Sequence, residues 1–253
     1  RGEARLPAKL LVMGLSIEAE ARQVAAWAAS EQPRANALIL SANSASQRRT
    51  STAFKQEWLR QGGSADQVDL TPTNGYLSDA ELVQLRARLS SNPPALIFAA
   101  LDADQARQLR VAIGPDLPLY GTSSLNPGLG RGASGPELDG ARLLDLPWQV
   151  QRDHPQVMVY PQPPQPVDGR LTADMERLYA LGIDAFRVAR EVALRPEAPF
   201  TLDGVTGRLA VRYDDGQTRF ERTEQAATYQ QGVVGTWPPK PVPEPAPALP
   251  AAQ

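Results

Sequence analysis

The sequence predicts an α/β protein built on a parallel sheet that is covered on both faces and wound with right-handed crossovers. Three observations predict it. Short apolar runs alternate with stretches of helical periodicity from Leu10 to Tyr120. Residues that start helices follow the apolar runs, and glycines close the helices. The chain, at 253 residues, is long enough to bury the two-sided core that such a sheet needs.

In chain order, Leu10–Leu15, Ala37–Leu40, Val68–Leu70, Ala95–Leu101 and Leu117–Tyr120 read as strands. Trp27 lies in the first helical stretch, and Phe54 with Trp58 forms an i,i+4 apolar pair in the second. Leu82, Leu85 and Leu89 line the third; Ala106, Leu109 and Ile113 line the fourth. Ser16 precedes Glu18 and Glu20, an N-cap followed by acids that suit the helix dipole. Ser78 with Glu81 and Asp102 with Gln105 have capping-box spacing. Gly62-Gly63 and Gly114-Pro115 end the second and fourth helices.

Beyond Tyr120, residues 121–136 read as a loop, Ala141–Leu146 as a strand and Pro161–Pro166 as a polyproline-like connector. Thr172 to about Arg195 is the strongest helix. Its stripe of Met175, Leu178, Tyr179, Gly182, Phe186, Ala189 and Val192 is expected to face the core, with Gly182 marking close packing. Residues 207–234 read as two strands joined at Asp214-Asp215-Gly216, a C-terminal β-hairpin. The Pro/Ala-rich stretch 237–253 reads as a disordered tail.

Composition narrows the function. A formal charge of −2 shows no basic excess, so neither a nucleic-acid nor an anionic-membrane partner is indicated. There is no cysteine for a disulfide, a thiolate metal site or a thiol nucleophile. No apolar run approaches the roughly 18 residues of a membrane span. The chain starts at Arg1 and reads as a processed chain or a fragment, with any lipid anchor upstream.

Ligands of doubly wound sheets bind beyond the carboxyl ends of the strands. Ser16, Asn43, Ser44, Asn74, Asp102, Thr122, Ser123 and Ser124 fall there, with Asn126 beside them. Their side chains suit a small polar or anionic ligand at helix N-termini, and they suit capping and turns equally well. Gly130, Gly132 and Gly135 have dinucleotide-loop spacing but follow a late strand and lead into Pro136, so they read as a loop. His154, the single histidine, has no G-x-S-x-G elbow to serve and reads as a solvated surface residue. Asp102 and Asp104 are too few carboxylates for a cation site. No catalytic centre, metal site or cofactor is indicated, so the expectation is a non-enzymatic protein.

The apolar run closing on Leu119-Tyr120-Gly121-Thr122-Ser123-Ser124 resembles the second lobe of type I periplasmic binding proteins. Gly14–Ala21, Leu138–Trp148, Arg177–Phe186, Leu202–Leu209 and the Arg219–Gly232 ending sharpen the resemblance to the LpoA/LppC family. The Tyr179-Ala180-Leu181-Gly182 helix and the Asp145-Leu146-Pro147-Trp148 segment are its most specific parts. The resemblance implies one essentially complete lobe (about 30–120 plus the helix 172–195) and a partial other lobe, together one module over 1–236. It also implies an outer-membrane lipoprotein on the periplasmic face that binds and activates a class A penicillin-binding protein, with no catalytic residues to carry over. A solute-binding module for a small polar ligand, in transport or sensing, is the alternative.

Overall fold

The computed structural model describes residues 10–128, 135–164, 171–214 and 217–238. From Ile17 to Gly121 the βα alternation is present as read. α1 (Ile17–Glu31) leads into β1 (Asn36–Ser41), α2 (Ala45–Arg60), β2 (Ser64–Asp69), α3 (Asp79–Ser91), β3 (Leu96–Ala100), α4 (Ala103–Ile113) and β4 (Leu119–Gly121). β5 (Arg142–Asp145) completes a parallel run in the spatial order β5-β4-β3-β1-β2. β9 (Gln225–Gln230) and β10 (Val233–Thr236) extend the β5 edge antiparallel, making seven strands.

Alternation of side chains along the strands divides the core between the two faces. Leu38, Leu40, Ile97 and Ala99 face Leu82, Leu85, Leu89 and Leu109 of α3 and α4. Ala37, Ile39, Leu96 and Phe98 face Val24, Ala28, Phe54 and Trp58 of α1 and α2. Phe54 stacks on Phe98 with ring centroids 3.8 Å apart, and Trp58 Nε1 donates to the Ser64 carbonyl at 2.8 Å. A Cβ on Gly63 would lie 2.3 Å from Trp58 Nε1, so position 63, three residues past the end of α2, must be glycine for the indole to reach.

The caps explain where the helices begin. Ser16 and Thr172 accept from backbone N–H groups three residues on, and Ser44–Gln47 and Asp102–Gln105 form reciprocal capping boxes. Ser78 makes no side-chain cap; Glu81 instead accepts from Thr71 N at 3.0 Å and ties α3 to the loop before it.

A second body lies beside this sheet. α7 (Ala173–Leu194) packs on an antiparallel sheet of β6 (Phe200–Gly204), β7 (Gly207–Asp214) and β8 (Gln217–Thr223). Val188, Phe200, Leu209 and Val211 form its core. Two short helices, α5 (Pro147–Val150) and α6 (Pro155–Met158), join the bodies through Trp148, Val157 and Val205. α7 therefore belongs with the small sheet, not with the larger lobe to which the sequence assigned it.

Other expectations are corrected as well. Leu10–Leu15 is extended chain without strand pairing; Leu11 and Met13 pack on the small sheet by side chains alone. β2 begins four residues earlier than its apolar signal, because an exposed edge strand needs few apolar residues. The C-terminal hairpin is present as β7 paired antiparallel with β8, Asp214 opposite Gln217, but it ends at Thr223: the chain leaves the small sheet at Glu224, and the later residues of 207–234 join the large sheet. β6 carried too weak an alternation to be read. Most telling, the middle of the stripe on α7 faces outward: Leu178 and Phe186 are 62% and 72% exposed, nothing lies within 4 Å of a Cβ on Gly182, and only Tyr179 and Val192 at its margins pack on the core. The buried face carries Ala173, Arg177, Ala180, Asp184 and Val188 instead. Trp237, placed in a free tail by composition, docks its ring under Arg142 at 4.4 Å and donates its backbone N–H to the Ala226 carbonyl. Residues 239–253, Gly130 and Gly132 lie outside the described residues.

Candidate functional site

The carboxyl ends of β3 and β4 and the N-termini of α4 and α7 enclose a cleft of about 570 Å³ between the two bodies. Its lining includes Asp102, Asp104, Ser123, Ser124, Asn126, Thr172, Asp174 and Arg177. The volume is in the range of small-molecule sites. Asp102 points into its own helix as the α4 cap, and Thr172 does the same for α7. Ser123 and Ser124 lie in a 3-10 turn directly after β4.

The structure brings Asp102, Ser123 and Ser124 together with Asn126, and leaves the other sequence candidates elsewhere. Ser16 and Ser44 cap α1 and α2. Asn43 is exposed and gives its carbonyl to Arg48. Asn74 takes the left-handed conformation, φ 52°, in the turn between Thr73 and Tyr76. Thr122 is buried beneath the cleft with its hydroxyl unpaired.

Arg177, which lines the cleft floor, and Asp145, buried behind it, were both missed by sequence reasoning. Arg177 Nε and Nη2 donate to the two Asp145 oxygens at 3.1 and 2.8 Å. Nη2 also reaches the carbonyls of Ser123 and Asn126, and Nη1 donates to Asp174 at 2.9 Å. Asp145 further accepts from Leu146 N and Asn126 Nδ2. Burial disfavours the guanidinium charge, but Asp145 more than offsets it and holds Arg177 above its ordinary value. Every nitrogen of Arg177 is thus bonded to a protein oxygen, so the floor is a structural post between the bodies. The one available signal was a charged residue four positions after Ala173 and three before Ala180, on the face that the exposed stripe leaves free.

Asp184 plays the same part for the small sheet. It accepts from Val205 N, Thr206 N and Thr206 Oγ1, the last two at 2.7 Å, and holds the β6–β7 turn against α7. A Cβ on Gly204 would sit 2.4 Å from the Asp184 carboxylate, so this position must stay open.

No group of three or more metal-ligating side chains occurs among the described residues. His154 caps α6 through Nδ1 and stands 3.6 Å from Asp203, which explains it without catalysis. No described helix is long and apolar enough to cross a membrane.

The model of the family described as "LppC putative lipoprotein" matches residues 2–232. A structure from Chromobacterium violaceum, described as a "putative branched-chain amino acid ABC transporter", superposes with TM-score 0.66 at 36% identity, covering 85% of this chain and 66% of that one. Full-length LpoA from Haemophilus influenzae superposes with TM-score 0.62 at 20% identity over 88% of this chain and 39% of its own. The C-domain of the same protein, described as a regulator of PBP1A, gives TM-score 0.63 at 22% identity over 88% and 67%. The chain spans less than two thirds of the first of these structures and well under half of the second. No curated protein matches it.

Proposed function

This chain belongs to the LppC lipoprotein family, and on that premise we propose that it is a non-enzymatic regulator that binds and activates a class A penicillin-binding protein. The observation that carries the reading is the family match over residues 2–232. The likeness in fold to the LpoA C-domain agrees with it. Residues 1–236 act as one module at the periplasmic face of the outer membrane, held there by a lipid anchor. Activation comes from binding energy, through tighter contact with the active conformation of the synthase. A coupling of about 1–3 kcal/mol gives a several-fold to hundredfold effect. The test mixes the purified chain with its cognate synthase and measures direct binding and peptide cross-linking. Binding with increased cross-linking supports the reading; a synthase that neither binds nor responds overturns it.

The cleft favours a second reading, a solute-binding module. Asp102, Ser123, Ser124, Asn126 and Thr172 would hold a small polar ligand at its rim. Because each nitrogen of Arg177 already bonds a protein oxygen, backbone N–H groups and hydroxyls would supply most of the hydrogen bonds to a ligand carboxylate. Titration calorimetry with amino acids decides it: micromolar binding together with no response from the synthase replaces the first reading with the second.

A further inference from the structure

The chain passes between the two bodies at three places, and each carries a buried carboxylate. The first lies between Met13, packed on the small sheet, and α1, packed on the large one; Glu20 stands in the first turns of α1. The second is Asp145, where β5 ends before α5. The third is Glu224, the single residue between β8 of the small sheet and β9 of the large one.

These carboxylates are close enough to feel one another, and the cations among them do not balance them. Arg177 from α7 is bound to Asp145, with Asp174 beside it. Arg222 from β8 donates to Thr206 Oγ1 and the Gly14 carbonyl, and its Nη2 has no hydrogen-bond partner among the described residues. Asp184 from α7 also faces Arg222 but is held by the β6–β7 turn and Arg187. Glu20 accepts from Ser123 N and Ser123 Oγ. Glu224 Oε2 is buried with no hydrogen-bond partner among the described residues. Glu20, Asp145 and Glu224 thus share Arg177 and Arg222, and the group keeps its buried charge low by retaining a proton.

We propose that this junction is a proton-linked hinge: the bodies close when the Glu20–Glu224 pair holds a proton and separate when it loses one. Opening lets water reach both carboxyls, and a hydrated carboxyl releases its proton more readily. The direction agrees with the environment. Burial and the neighbouring Glu224 raise Glu20 well above the carboxylate range, against the pull of Ser123. Burial likewise pushes Glu224 up to about 7, with Arg222 opposing and Asp145 adding. Because the cleft lies between the bodies, its width would follow pH near neutrality.

The chain has no cysteine, which permits a clean pair of spin labels at Ser90→Cys on α3 and Thr201→Cys on β6, both exposed. Pulsed electron-spin distance distributions are recorded between about pH 5.5 and about pH 8.5, and each unit of pKa difference between closed and open forms changes their ratio by about tenfold. The expected result is a longer distance at high pH, abolished by Glu224→Gln, which stays short throughout. Glu20→Gln, made in parallel, supplies the same test should Glu224→Gln not fold. A distribution that ignores pH in the labelled chain overturns the proposal, and so does an unchanged pH response in the folded Gln variants.

Discussion

Arg177 and Asp145, 32 residues apart in the chain, meet as a two-pronged ion pair of 3.1 and 2.8 Å just beneath the floor of the cleft. Arg177 reaches from α7 of the small body, and Asp145 stands at the end of β5 in the large one. Neither ion has water to return to, since Asp145 is fully buried and Arg177 nearly so. Removing one partner leaves the other charged and dry. Arg177→Met is therefore expected to destabilise the protein by about 3–5 kcal/mol, measured by urea unfolding. The double variant Arg177→Met with Asp145→Leu should recover part of that loss, and a single variant as stable as the parent would show that the pair is dispensable.

The buried acids set the pH dependence of stability. Glu224 sits at about 7 in the folded chain, above its ordinary 4.5, so folding favours its protonated form. Its contribution is fully present below about pH 4.5 and is lost as pH rises through about 7. Glu20 is displaced in the same direction. Glu224→Gln should accordingly raise Tm at pH 8 and leave it nearly unchanged at pH 5. An equal change in Tm at both pH values would locate the effect in packing rather than protonation.

Two phenylalanines should respond in opposite ways. Phe54 is fully buried and stacked on Phe98, so Phe54→Ala is expected to cost about 3–5 kcal/mol. Phe186 is 72% exposed, so Phe186→Ala should change stability by no more than about 0.5–1 kcal/mol. Chemical denaturation of both variants compares them directly. Comparable losses would mean that α7 is turned differently from the structure.

Gly63→Ala probes the close approach of Trp58. The added methyl falls 2.3 Å from the indole nitrogen and would break its hydrogen bond to Ser64. A loss of about 1–3 kcal/mol is expected from such overpacking. Trp58 fluorescence should shift to the red as the ring gains access to water, and an unshifted spectrum would show that the helix end absorbs the methyl.

Much of the large body was legible in the chain. The alternation of strands and helices held because each buried strand is a continuous apolar run and each helix carries its own start signal. Asp102, Ser123 and Ser124 reached the cleft for the same reason, since strand ends in a wound sheet point to one side. Ser44 and Asn74 follow strands too but cap a helix or turn the chain, and Ser16, which follows no strand, caps α1; their chemistry serves these uses as well. The polar edge strand β2 and the strandless Leu10–Leu15 were misjudged because apolarity reports burial, not backbone pairing.

By itself, then, the amino-acid sequence determined the wound α/β order, the caps, the strand-end position of a possible site and the family. Only the tertiary structure decided which face of α7 is covered, where the chain leaves the small sheet, and that Glu20, Asp145, Arg177, Arg222 and Glu224 meet. Periodicity along a helix identifies an apolar face but not whether anything packs against it: Arg177 and Asp184 are buried, and Phe186 is exposed. A buried charge is tolerated only where a partner distant in the chain receives it, and the positions of such partners are set by how the two bodies dock.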